Sequence, residues 1–200
     1  MLVLIKALIW IAGLTPLSWL IYSGLNNHLG PDPGKALSDG LGLWALRLLL
    51  LTLLLRPLRD ITGNSIFIRV RRLVGLFCWF YATLHFAAGI FYVIGYSWLD
   101  LSKALSEKTY IILGFLAWLL LLPLAVTSNR WSQRRLGRRW ARLHRAIYLI
   151  VMLACLHFIW LVRSDYWQPT LYFVFAVLLV GWRAPIINRF FNERLNAWRR

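Results

Sequence analysis

Six stretches of this chain are apolar for close to the length that crosses a bilayer: about 2–22, 41–55, 73–97, 109–126, 146–162 and 168–182. A bilayer core is spanned by ~20 helical residues, and inside it every backbone N–H and C=O must find its partner within the protein. Only helices or a closed barrel meet that condition. None of the six runs alternates with the period of two that a barrel strand requires. The pattern therefore predicts an all-α membrane protein with six transmembrane helices, the second and last of them short. Hydrophobic residues make up 60% of the 200 positions, too many for a soluble domain of this size. The first run is longer than a signal-peptide core and has no clear small-residue cleavage site, so it reads as a retained helix. Pro16 and Pro123 fall inside runs and are expected to kink the first and fourth helices. Residues 1–200 read as one domain in membrane lipid.

The formal charge of +16 would suit nucleic acid, but the basic residues lie between apolar runs and form no polar domain of their own. No nucleic-acid partner is expected, and the charges read as topology signals. The 56–72 connection holds Arg56, Arg59, Arg69, Arg71 and Arg72 against Asp60. The 127–145 connection holds Arg130, Arg134, Arg135, Arg138, Arg139, Arg142 and Arg145 with no acid. The tail holds Arg183, Arg189, Arg194, Arg199 and Arg200 against Glu193. These are 17 of the 23 basic residues, and in a six-helix chain all three segments share one side. The positive-inside rule puts that side, and both termini, in the cytoplasm. After the sixth run, Ile187, Phe190, Phe191, Leu195 and Trp198 recur at helical spacing among arginines, the pattern of an amphipathic helix on the membrane surface. No nucleotide-binding domain follows it, and no glycine-rich phosphate loop occurs.

The two cysteines, Cys78 and Cys155, lie inside apolar runs without metal-ligand spacing and read as small buried side chains. The histidines say more. His28 lies in a Gly/Pro/Asn-rich outer loop and reads as solvated. His85 follows Arg72 by 13 residues, and His157 follows Arg145 by 12. At 1.5 Å per residue they reach ~20 Å and ~18 Å into the membrane from the same side. An ionisable group at such depth is costly and points to function. Each could be a lone interhelical hydrogen bonder. Two at one depth favour axial ligation of a heme iron by both imidazoles, in the neutral form that need bury no charge. Gly75 and Gly89 flank His85. Gly89, one turn on, would let a flat macrocycle approach the backbone, or would serve ordinary helix packing. Trp79, Phe80, Tyr81, Phe86, Phe158 and Trp160 could wall such a pocket.

Two further residues are anomalous. Arg47 lies inside the second run, ~13 Å from the basic side; it either snorkels outward or pairs with a heme propionate. His144 lies at the basic mouth, 13 residues before His157, and a partner at its depth on the third helix would fall at Arg71 or Arg72. It is open to three readings: ligand to a second heme with an unusual partner, contact to a flavin or quinone, or plain interfacial histidine.

The stretches "IRVRRLVGLFCWFYATLHF" (68–86) and "TSNRWSQRRLGRRWARLHRAIYLIVMLACLHFIW" (127–160) closely resemble the heme-binding membrane subunits of bacterial protein-methionine-sulfoxide reductase systems, within the ferric-reductase-like transmembrane group. "LGPDPGKAL" in the outer loop and "LLLTLLLRPLR" fit the same family, so the resemblance covers nearly the whole chain. "SDGLGLW" and "SEKTY" depart from its usual pattern, both at the outer mouth. The resemblance implies a multi-pass cytochrome b of the bacterial inner membrane, binding heme b and FMN. Its partner would be a periplasmic molybdopterin-containing catalytic subunit that reduces methionine sulfoxide in envelope proteins. Its donor would be quinol or a cytosolic flavin reductase. The family's heme-region histidines fall on His85, His144 and His157. Arg71 and Arg72, with Arg134–Arg145, could hold the FMN phosphate or dock an acidic reductase.

The alternative within the same chemistry is a transmembrane metalloreductase for ferric or cupric ions. The lack of a nucleotide domain and the single complete histidine pair weigh against it. A transporter or non-redox scaffold would call for intramembrane acids or a repeat with broken helices, and neither pattern is seen.

Overall fold

The computed structural model describes residues 2–95 and 97–182, and all regular structure among them is helical. In chain order the helices are α1 (Leu2–Leu25), α2 (Pro33–Thr62), α3 (Ile66–Ala88), α4 (Trp98–Glu107), α5 (Thr109–Val126), α6 (Arg130–Leu136), α7 (Arg138–His144), α8 (Ile147–Leu161) and α9 (Trp167–Gly181). A π-helical segment, Gly89–Ile94, continues α3. Among the described residues five spans are long and apolar enough to cross a membrane: α1, α2, α3 with its π-helical extension, α5, and α7–α8 taken together. The last apolar run forms a shorter helix of 15 residues. The chain is thus a multi-pass helical membrane protein. The amphipathic helix expected over 187–198 lies outside the described residues.

Local chemistry sets the helix ends beyond the apolar runs. Asp32 caps α2, its carboxylate accepting the Lys35 N–H at 3.0 Å, with Pro33 at the first helical position. Gly63 closes the helix at φ 73°, a left-handed conformation costly for other residues, and its N–H donates to the Arg59 carbonyl. The second run, short by sequence, is therefore the middle of a 30-residue helix. The 56–72 segment is not a loop: only 63–65 separates α2 from α3. Likewise 127–145 folds as α6 and α7. The fourth run alone has the bounds that the sequence indicates.

α2, α3, α5, α8 and α9 pack in sequence around a ring, α9 closing back on α2, and α2 also touches α8. The core is small and aliphatic: Leu49 and Leu53 of α2, Cys78 of α3, Leu121 of α5, Val151 of α8 and Ala176 of α9 meet there. Both cysteines are buried and unbridged, as the sequence indicates. α1 stands outside the ring against α2 and α3, with Val3, Leu4 and Leu25 at least 69% exposed. In lipid such a surface has no penalty, so the attachment of α1 rests on packing and hydrogen bonds. The fully buried Tyr81 supplies both. Its hydroxyl donates to the Gly13 carbonyl at 2.7 Å and accepts the Leu17 N–H at 3.0 Å, bridging one helical step beside Pro16.

By connectivity, the basic residues collect at one end of the bundle. Arg56 and Arg59 close α2, Arg69, Arg71 and Arg72 open α3, and α6 and α7 join α5 to α8. Asp60 takes Arg59 at 2.7 Å and Arg56 at 3.8 Å.

Candidate functional site

The deepest histidines of α3 and α8 meet. The ring centroids of His85 and His157 are 6.1 Å apart and their planes cross at 71°. Counting residues from the basic end, the only depth gauge in the sequence, brings together the pair that the fold brings together.

Each ring is held the same way. His85 Nδ1 donates to the backbone carbonyl of Ser38 on α2 at 2.8 Å, with the Ser38 hydroxyl at 3.4 Å. His157 Nδ1 donates to the backbone carbonyl of Tyr110 on α5 at 2.6 Å. A carbonyl only accepts, so each Nδ1 carries the proton and each Nε2 keeps its lone pair. That is the donor set for a metal held between two neutral imidazoles, with the outer nitrogen oriented by a backbone oxygen. A metal about 2 Å from each Nε2 would set the ring centroids roughly 6 Å apart, as observed. The residues present fit an axially ligated iron.

A helical carbonyl normally lies beneath the side chain four residues on. Here those residues are Gly42, four after Ser38, and Gly114, four after Tyr110. A Cβ on Gly42 would stand 2.8 Å from His85 Nδ1, and one on Gly114 would stand 2.8 Å from His157 Nδ1. By contrast, a Cβ on Gly75 or Gly89 would meet only ordinary contacts, at 3.6 Å to Thr52 and 3.9 Å to Ser38. The crowding is on the facing helices rather than beside His85 on its own. Sequence reasoning does not single out Ser38, Gly42, Tyr110 or Gly114. Of the candidate aromatic walls, Phe86 stacks on Trp118 at 4.4 Å, Tyr81 turns to α1, and Trp160 is half exposed.

The other candidates lie elsewhere. Arg47 donates from Nε to the Tyr172 hydroxyl at 2.9 Å, and its guanidinium lies 4.8 Å above the Trp44 ring. It is nine residues along α2 from Ser38, ~13 Å toward the basic end. At that end His144 stacks on Trp140 at 4.0 Å, and its Nδ1 donates to the Trp140 carbonyl at 3.2 Å. Its Nε2 is buried, with the Leu124 carbonyl of α5 close by. Arg71 is partly buried and close enough to act on His144 electrostatically, whereas Arg72 is exposed. Among the described residues no cluster of three or more His, Cys, Asp or Glu is placed to hold a metal.

A bundle of membrane-spanning helices with two facing imidazoles, each bonded through Nδ1, defines a class: a helical membrane protein that offers a pair of nitrogen donors between its helices. Comparison with known proteins narrows the class. Residues 41–155 match the model of the ferric reductase like transmembrane component. A protein-methionine-sulfoxide reductase heme-binding subunit MsrQ of Xanthomonas axonopodis pv. citri (strain 306) is 45% identical over 184 residues, 89% of this chain and 84% of that one. The MsrQ of Xanthomonas campestris pv. campestris (strain 8004) is 46% identical over 165 residues, 82% of this chain and 76% of that one. No solved structure matches. The chain belongs to the MsrQ family of protein-methionine-sulfoxide reductase heme-binding subunits, within the ferric-reductase-like transmembrane group.

Proposed function

We propose that this protein is a membrane cytochrome b. It would carry electrons from a donor at its basic face to a periplasmic molybdopterin-containing catalytic subunit that reduces methionine sulfoxide in envelope proteins. The observation that carries this reading is the His85–His157 pair, with both Nδ1 atoms committed to backbone carbonyls and both Nε2 atoms free to bind iron. The names of the relatives, heme-binding subunits, support the same cofactor.

Heme b supplies one-electron redox chemistry when bound. The chain's own residues do the rest. His85 and His157 would hold the iron through their Nε2 atoms. The Ser38 and Tyr110 carbonyls keep each imidazole in the neutral tautomer that ligates. Arg47, beside Tyr172 and toward the basic end from the pair, would pair with a propionate.

The remaining parts of the proposal concern the two ends. Six helices would cross the bacterial inner membrane as a single domain, with both termini and the basic end in the cytoplasm, by the distribution of arginine. The His85–His157 pair then lies toward the periplasmic side, where its acceptor would dock. At the cytoplasmic side Arg71, Arg72 and His144, with the arginines of α6 and α7, would hold FMN by its phosphate. Quinol or a cytosolic flavin reductase would be the donor, the latter attracted by the same positive field. The test is reconstitution: purified chain, loaded with heme and FMN, is mixed with its periplasmic partner and an oxidised-methionine protein. Reduced chain that is reoxidised only when the partner and the sulfoxide are both present supports the reading. Reoxidation by ferric or cupric ions alone, with no response to the partner, would replace it with a metalloreductase.

A further inference from the structure

The two histidine seats are copies. Ser38, Gly42 and His85 are followed 72 residues later by Tyr110, Gly114 and His157, and each histidine lies 47 residues from the carbonyl that accepts its proton. The sequence around them repeats at the same interval. Residues 41–50, LGLWALRLLL, and 113–122, LGFLAWLLLL, share L-G-x-x-A-x-x-L-L-L. Residues 82–86, ATLHF, and 154–158, ACLHF, share A-x-L-H-F. The pair α2–α3 therefore corresponds to the pair α5–α8, and the histidines face each other across the line between the two pairs.

In each copy the glycine does one thing that no other residue can do. A ring nitrogen can reach the carbonyl of a helical residue from the side only if the side chain one turn on is missing. Both notches are tight: a methyl group at Gly42 or Gly114 would lie 2.8 Å from the bonded nitrogen, with a second ring atom at 2.9 Å or less. The obstacle would be the rigid ring base, where any movement shifts Nε2 as well.

We propose that Gly42 and Gly114 are positioning residues for the heme iron, each holding open a notch in which the ligand histidine reaches a backbone carbonyl. The proposal rests on the reading that His85 and His157 ligate heme. Because the seats are copies, the two glycines act alike: loss of either one displaces one imidazole, lowers its basicity by breaking the Nδ1 bond, and weakens one axial bond of two.

The experiment uses the full chain in native membranes and compares wild type, Gly42→Ala, Gly114→Ala and Gly13→Ala. Gly13 is the control for crowding, since a methyl there would meet the Phe77 ring at 2.7 Å, away from both histidines. The readouts are heme per chain, the low-spin ferric signal in electron paramagnetic resonance, and the midpoint potential. Gly42→Ala and Gly114→Ala are each expected to lose at least half of the wild-type low-spin signal, with high-spin heme or heme loss in its place, while Gly13→Ala keeps it. An unchanged signal and potential in both glycine variants overturns the proposal, as does an equal change in Gly13→Ala. Where Gly42→Ala does not accumulate, Gly42→Ala combined with His85→Ala decides. Removal of the ring removes the clash, so recovery of the chain supports the notch, and no recovery overturns it. If His85→Ala and His157→Ala themselves keep the wild-type low-spin signal, the heme reading fails first, and that result is separate from failure of the glycines alone.

Discussion

The two ends of the helical bundle treat histidine differently. Toward the α4 end, two imidazoles face each other at 6.1 Å, each tied through Nδ1 to a carbonyl of a neighbouring helix. At the basic end stands one imidazole, His144, tied to the carbonyl of Trp140 one turn back on its own helix and stacked on that residue's ring. The 72-residue repeat that delivers histidine twice at the first end delivers Arg72 and His144 at the second. Through Nδ1 the pair is held by neighbouring helices and the single ring by its own. A repeated helical hairpin thus yields a symmetric imidazole pair at one depth, and can diverge one helical span away into a cationic surface.

Several substitutions test that contrast. The largest effect is expected from His85→Ala and His157→Ala, each of which should abolish the low-spin bis-imidazole signal, read by absorption and electron paramagnetic resonance of membranes. His144→Ala should leave that signal intact, because its ring lies at the opposite end of the bundle from the pair; loss of the signal would erase the distinction between the ends. Replacing Arg134, Arg135, Arg138 and Arg139 together by Ala should lower bound FMN or coupling to a flavin reductase several-fold, with heme content unchanged. Retention of both would reduce these arginines to topology signals. Arg47→Leu should keep heme but lower the midpoint potential by on the order of 50 mV, since loss of a nearby cation favours the ferric state. An unchanged potential would remove the propionate role. The smallest effect belongs to the periphery. Tyr81→Phe removes the hydroxyl that bridges Gly13 and Leu17 and should cost about 1 kcal/mol of stability by thermal melting, without touching the heme spectrum.

Much of the paired site was legible in the sequence because it depends on counting. Helical rise converts 13 residues from Arg72 and 12 from Arg145 into matched depths, and nothing in tertiary packing alters that arithmetic. The grip on each ring was not legible in the same way. Ser38 lies ahead of the second apolar run, in a segment that reads as loop until the Asp32 cap and Pro33 extend α2 across it. Tyr110 acts through its backbone, to which side-chain chemistry gives no clue. The glycines that matter lie on the facing helices, and the signal for them was the internal repeat rather than proximity to His85. The basic connections read as loops for a related reason: charge density marks a membrane side but does not distinguish a loop from α6, α7 or the ends of α2 and α3.

The most direct test is the reduced-minus-oxidised absorption spectrum, with heme per chain, of wild type beside His85→Ala, His157→Ala and His144→Ala. A b-type spectrum in wild type, with its bis-imidazole component lost in the first two variants and kept in the third, is the result expected of iron held between α3 and α8. Retention of that component in His85→Ala and His157→Ala, or its loss in His144→Ala alone, would contradict it.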